Sequence, residues 1–439
     1  MNPLTPAASD PVELLRSLIR FDTSNPPGRE RACLEWVAEL LATAGIPSSF
    51  LARDPERPNL IARIPGRGAA PPLLLYGHID VAPTSGQQWA HDPFGGDLVD
   101  GVVWGRGALD MKGGIAILLG AILDLQAQGV QTAGDIVVAL MSDEEAGSDL
   151  GASFLVEAHA DLFEDVRFAI SEVGGFTQLV AGREFYPIQV AEKTPCRLRG
   201  TIRGPGGHAS TPARGGAPAK LAALLRALDR KRLPVHITPI VREMLGAMAD
   251  ALPLPQRTAL RPLLVPRLTN GVVRLLGKDA ADLDPLLRNT AVIVSINTGD
   301  ATNVIPGVIT VDVDGRLVPG QTASDLVLEL AQLAPGIATW DIVREEPTTP
   351  SAPDLTLFPV LIDALRRAVP HATPFPLVIP GASDARFFAR LGIQTYGFLP
   401  MRLPPGITMN LIHAPDERVP ADAIEFGVRV LADALSRYA

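Results

Sequence analysis

Residues 73–80 read LLLYGHID: four apolar positions, a glycine, then a histidine and an aspartate two apart. An apolar run of this length closed by a glycine has the form of a strand buried on both faces. Outward from it the same grammar repeats. LIARI at 60–64, DIVVALM at 135–141 and VRFAI at 166–170 read as strands, and a helix is expected over 111–128. Strands alternating with helices predict an α/β fold with a mainly parallel sheet and helices on both faces. Such sheets bind ligands beyond the carboxyl ends of their strands, where residues distant in sequence meet. His78 and Asp80, Asp110, Glu144 and Glu145, Glu172, and His413 each follow a short apolar run, as a metal site on strand ends requires.

At 439 residues the chain exceeds one typical core, so two domains are expected. Asp10 as cap, Pro11 in the first turn and Glu13 as capping-box acid start a helix reaching Phe21. A second helix over 29–44 stops at Gly45. After Glu192 the pattern changes: CRLRGTIRG alternates as a half-buried strand, 215–230 reads as a helix, and 290–297 and 307–318 read as strands. A helix at 323–334 and a strand at 338–345 complete a β-α-β-β-α-β order, predicting a ferredoxin-like α+β domain. It occupies 194–347, inserted in a domain made of 1–193 and 348–439. Residues 231–289 interrupt it with prolines and a helical stretch at 240–252 whose role the pattern does not give. The return segment carries a helix at 354–368, further short strands and a last helix at 421–438.

With 47% hydrophobic residues, 20% charged and a mean hydropathy of +0.20, the composition is that of a folded globular protein. A net charge of −9 without a basic cluster disfavours nucleic acid as a partner. Cys33 and Cys196 are the only cysteines, which disfavours a disulfide framework or a cysteine-ligated site, so any metal must be held by histidine and carboxylate. No basic and apolar leader opens the chain and no apolar run approaches ~20 residues, so no membrane association and a cytoplasmic location are expected.

Each chemical motif has a bland reading beside the functional one. His78 and Asp80 lie on the same side of an extended backbone. Asp80 can therefore accept from the far nitrogen of a metal-bound His78 and fix its tautomer, although such a pair is more often plain surface. Asp110 in WGRGALDMKGG precedes an apolar helix and could simply cap it. The glycine-rich turn lacks the Gly-Lys-Ser/Thr ending of a phosphate loop, which excludes nucleotide binding there. The acids of LMSDEEAGS would usually form a solvated loop. Successive residues point to opposite sides, so Glu144 and Glu145 can do separate jobs, one at a substrate water and one at a metal. Glu172 in FAISEVGG and His413 in NLIHAPDE repeat the strand-end theme.

Taken together, GHID, Trp89 with Asp92, Pro93 and Phe94, GRGALDMKGG, SDEEAGS, GHAS, TNVIP, GASDAR and HAPDE make the chain similar to the co-catalytic di-zinc family of acetylornithine deacetylase, succinyl-diaminopimelate desuccinylase, aminoacylase and carboxypeptidases. The motifs run in that family's order from about residue 76 to 417. The resemblance implies a zinc-exopeptidase-like sheet domain and an inserted lid or dimerisation domain. It implies two Zn2+ per subunit, replaceable by Co2+ or Mn2+, with His78, Asp110 and Glu172 holding one and Asp110, Glu145 and His413 the other. Glu144 becomes the general base and Asp80 the partner of His78. His208 in GPGGHAS would stabilise an oxyanion, in its own subunit or across a homodimer. Asn303, Arg316, Gly381, Ser383, Asp384 and Arg386 match positions around the substrate, with Arg316 the first choice for gripping a carboxylate. Ser383 stands where threonine is common and Asp416 where asparagine is. The long 231–289 segment is similar to the larger carboxypeptidase and N-acyl-amino-acid hydrolase branch. A hydrolase of N-acyl amino acids or short peptides is therefore expected, with an acetylornithine deacetylase or desuccinylase as the alternative. A non-catalytic homologue that binds metal or a small amide is the reading from another class.

Overall fold

A computed structural model describes residues 10–180, 182–211, 214–254, 256–277, 283–299, 302–346, 350 and 352–439. The chain divides into two compact units, Met1–Val190 with Asp354–Leu377 and Ser383–Ala439, and Ala191–Pro353 with Val378–Ala382. The sequence placed the boundaries at 193/194 and 347/348, the latter beside residues outside the described ones. It did not anticipate the short return of 378–382. Lys193 N–H donates to the Ile379 carbonyl at 3.1 Å, which ties that return to the second unit.

In the first unit the expected strands form the middle of a mixed sheet. Its path runs Ser48–Leu51, Asn59–Ile64, Ile136–Met141, Leu73–His78, Phe168–Ser171, Gln394–Gly397, Arg183–Glu192, Thr373–Ile379. The four strands from Ile136–Met141 to Gln394–Gly397 are mutually parallel, and antiparallel pairing begins on either side. Register pairs His78 with Met141 and Ser171 with Gly397, so the parallel strands finish side by side. Arg183–Glu192 has no counterpart among the expected strands. It carries Pro187, which cannot donate to a ladder and demotes a run read from sequence.

The helix Lys112–Ala127, KGGIAILLGAILDLQA, is apolar on nearly every face and correspondingly buried, packed against Pro11–Ile19 and Ala421–Ser436. A Cβ at Gly77 would lie 2.5 Å from Met111 Cε, so the strand end before His78 packs directly under the Met111 side chain at the helix start. The expected cap works at the first helix, where Asp10 accepts from Val12 and Glu13 N–H. Glu13 instead pairs with Arg16 and Arg20. The helix expected from 354 starts at Phe358, because Asp354 folds back to accept from Thr356 N–H and hydroxyl.

The second unit has the ferredoxin-like sheet order Thr290–Asn297, Val308–Leu317, Thr194–Arg203, Thr339–Glu345, antiparallel throughout. Helices Ala217–Arg230 and Ala323–Leu333 contribute Leu224, Leu326 and Leu330 to one core with Leu198, Ile202, Val311 and Val313. The interrupting segment folds into helices Pro239–Ala251, Gln256–Leu260 and Pro266–Leu276. Arg288 secures its base by donating to Leu233 O, Asn270 Oδ1 and Asp284. Buried Lys193 is satisfied by Pro285 O, Arg288 O and Thr290 Oγ1, each at 3.0 Å. No helix among the described residues is long and apolar enough to cross a membrane.

Candidate metal centre

Beyond the parallel strand ends of the first unit, the two expected ligand sets come together. His78, Asp110 and Glu172 present ligand atoms within 4.8 Å of one another, and so do Asp110, Glu145 and His413. Asp110 belongs to both. Its Oδ1 lies 3.2 Å from His78 Nε2 and its Oδ2 lies 3.3 Å from His413 Nε2. Glu172 Oε2 is 3.6 Å from His78 Nε2, and Glu145 Oε1 is 3.0 Å from His413 Nε2. Asp110 caps no helix: the cap position of Lys112–Ala127 is Met111, without a side-chain cap, and both Asp110 carboxylate oxygens face the imidazoles. Three residues at the site, Asp143, Val173 and His413, adopt positive φ, a conformation L side chains hold only under tertiary constraint.

Charge decides the state of these groups. Burial disfavours a charged His78, but Asp110, Asp80 and Glu172 outweigh it and hold its pKa well above the ordinary imidazole value. Hydrogen bonds to Asp110 and Glu145 push His413 up to about 10. Burial raises Glu172 to about 7 against the pull of His78, and raises Glu144 well above the carboxylate range, Glu172, Asp384 and Asp110 adding to it. The carboxylates that raise the two imidazoles would equally favour a cation placed among them. Imidazole nitrogen and carboxylate oxygen are donors that suit zinc and related divalent ions, and the shared carboxylate fits a pair of them.

The matching family model, described as peptidase family M20/M25/M40, covers residues 74–437. The chain belongs to peptidase family M20/M25/M40. Membership makes it a hydrolase of amide or peptide bonds. It is 29% identical over 430 residues to succinyl-diaminopimelate desuccinylase of Cereibacter sphaeroides, covering 95% of each chain. It is 27% identical to human N-fatty-acyl-amino acid synthase/hydrolase PM20D1, over 82% of this chain and 72% of that one. The fold is similar to that of an M20 family metallo-carboxypeptidase from Sulfolobus solfataricus, with a TM-score of 0.66, 18% identity and coverage of 98% and 99%.

Within this M20 chain, Asp80 meets His78 through its backbone as well as its carboxylate. His78 Nδ1 lies 2.9 Å from the Asp80 backbone carbonyl, while the nearer carboxylate oxygen is 3.6 Å away. The carboxylate also accepts from Glu144 N–H and Glu145 N–H, both at 3.1 Å, and from Asn25 Nδ2 at 2.9 Å. It ties the two glutamates to the strand that carries His78. Asn25 also donates to Asp143, which Arg57 joins to Glu30. Buried Asp384 accepts from Ser148 Oγ, and Arg386 donates to Ser383 O rather than to Asp384.

Four sequence-identified positions belong to the second unit. His208 and Asn303 come together on the ribbon Gly207–His208 with Val304–Ile305, where Ala209 N–H donates to Asn303 O. His208 Nδ1 lies 2.7 Å from Ser210 Oγ and 3.2 Å from Ser210 N, so Nε2 is the ring nitrogen that turn does not engage. Arg316 is held by Asp314 through two hydrogen bonds, at 2.8 and 3.3 Å, and is not a free guanidinium. Gly381 lies in the short return.

Sequence reading missed Asn25, Arg106 and Glu417. Buried Glu417 accepts from Leu109 and Asp110 N–H and pairs with buried Arg106 at 2.6 Å. Its signal was present: it closes HAPDE, four residues after His413.

Proposed function

We propose that this M20 hydrolase is metal-dependent and cleaves the amide bond of N-acyl amino acids or short peptides. The carrying observation is Asp110, whose two oxygens each face a separate histidine-bearing group. In this reading His78, Asp110 and Glu172 hold one Zn2+, and Asp110, Glu145 and His413 the other, with Co2+ or Mn2+ as substitutes. Two such ions supply Lewis acidity, lowering the pKa of an attacking water and polarising the scissile carbonyl.

The protein's own groups do the rest. Glu144 takes the proton of the water and returns it to the leaving amine. Asp80 holds the Glu144 backbone in place. His208 is the candidate to stabilise an oxyanion, in its own chain or a partner's. The family resemblance assigns Ser383, Asp384 and Arg386 of the first unit and, separately, Asn303, Gly381 and Arg316 of the second to substrate, Arg316 gripping a carboxylate in exchange for Asp314. A homodimer through the second unit is supported by the edge strand Thr290–Asn297, which exposes Val292, Val294 and Ile296. A cytoplasmic setting belongs to the same reading.

Amine release from a panel of N-acyl amino acids, including acetylornithine and succinyl-diaminopimelate, and of free dipeptides tests it, with zinc and with chelator. Chelator-sensitive cleavage of acyl amino acids or dipeptides is expected. The near full-length similarity to a desuccinylase favours succinyl-diaminopimelate as the second reading. Cleavage insensitive to chelator, or none of any compound, contradicts the proposal.

A further inference from the structure

The Trp89-Asp92-Pro93-Phe94 motif has no part in the chemistry described so far, yet the loop holding it reaches the centre through one side chain. Gln87 donates from Nε2 to the backbone carbonyl of His413 at 2.9 Å. Its Oε1 accepts from Arg106 Nη2 at 2.9 Å and from Trp89 Nε1 at 3.1 Å. Arg106 Nη1 donates to Glu417 and to Ala414 O, its guanidinium lies 5.1 Å from the Trp89 ring centroid, and its N–H donates to Pro93 O. Ala90 N–H donates to Asp416. The loop therefore grips the His413 turn on both sides. That turn needs gripping: His413 sits at φ 61 with its side chain 52% exposed, whereas His78 is 2% exposed and fixed by the core.

We propose that Gln87 is a positioning residue for His413, setting the imidazole through its backbone carbonyl and so tuning the Asp110–Glu145–His413 group without touching the His78–Asp110–Glu172 group. The inference rests on the two-ion reading above. Outer partners of metal ligands change affinity by about 10- to 100-fold when lost. Gln87 is half-buried on a surface loop, so its replacement leaves the core intact.

The test is calorimetric titration of metal-free protein with Zn2+. Wild type takes up two equivalents. Gln87→Met binds one of them about 10- to 100-fold more weakly and the other unchanged, with the unfolding temperature of the metal-free protein unmoved. Gln87→Glu keeps the acceptor for Arg106 and Trp89 but has no amide N–H for His413 O, and shows the same selective loss. In a His413→Ala background, Gln87→Met costs nothing further. Equal weakening of both equivalents, unchanged binding in Gln87→Met, or an additional loss in the His413→Ala background overturns the proposal. Failure of wild type to bind two equivalents instead overturns the two-ion reading itself.

Discussion

Asp110 combines two identities that its sequence context left open, helix cap or ligand, and the backbone resolves them by starting the helix one residue later. Once both oxygens face imidazoles, the protons on those imidazoles become the competitor of any cation. His413, raised to about 10, holds its proton across neutral pH in the metal-free protein. Folding therefore gains from that proton fully below the ordinary imidazole value and loses the gain as pH rises through about 10. Zn2+ uptake must expel it, so affinity rises with pH up to that value and at least one proton is released per protein at pH 7. Calorimetry in buffers of different ionisation enthalpy reads this directly, and metal binding without proton release contradicts it. The candidate ligands were legible because they follow short apolar runs. Gln87 was not, since its partner is a backbone carbonyl 326 residues away and an amide in a loop carries no pattern.

Between elements, the fit of the central helix to its neighbours positions the turn that carries Asp110. Lys112–Ala127 packs closely on Ala421–Ser436, where a Cβ at Gly427 would lie 2.5 Å from both Ile117 Cδ1 and the Pro400 carbonyl. Gly427→Ala is expected to destabilise by about 1–3 kcal/mol, because the carbonyl cannot yield as a side chain can. Gly246→Ala, in a helix where an added Cβ meets nothing within 4 Å, is expected to stabilise by about 0.5–1 kcal/mol. Equilibrium unfolding compares the two, and like signs would contradict the packing argument. Strands over 290–297 and 308–317 were readable within a residue because both are rich in β-branched residues, which alternate with polar ones in the second. Arg183–Glu192 was hidden by Pro187, and Phe358–Ala368 starts late because an aspartate-centred turn uses up the residues before it.

Over the whole molecule, the β-α-β-β-α-β order announced an inserted unit, but the return of 378–382 depends on a backbone bond between Lys193 and Ile379 that no local pattern encodes. Family membership makes the chain a hydrolase of amide or peptide bonds. Of the residues gathered beyond the strand ends, Glu144 separates chemistry from metal binding most sharply, since it belongs to neither ligand set. The measurement that bears most directly on the account is steady-state hydrolysis by Glu144→Ala alongside its metal content, on whichever acyl amino acid or dipeptide wild type cleaves. A fall in kcat of at least about 100-fold with two equivalents of metal retained is the predicted result. Turnover near the wild-type rate with metal in place would contradict the role of Glu144 and the mechanism built on it.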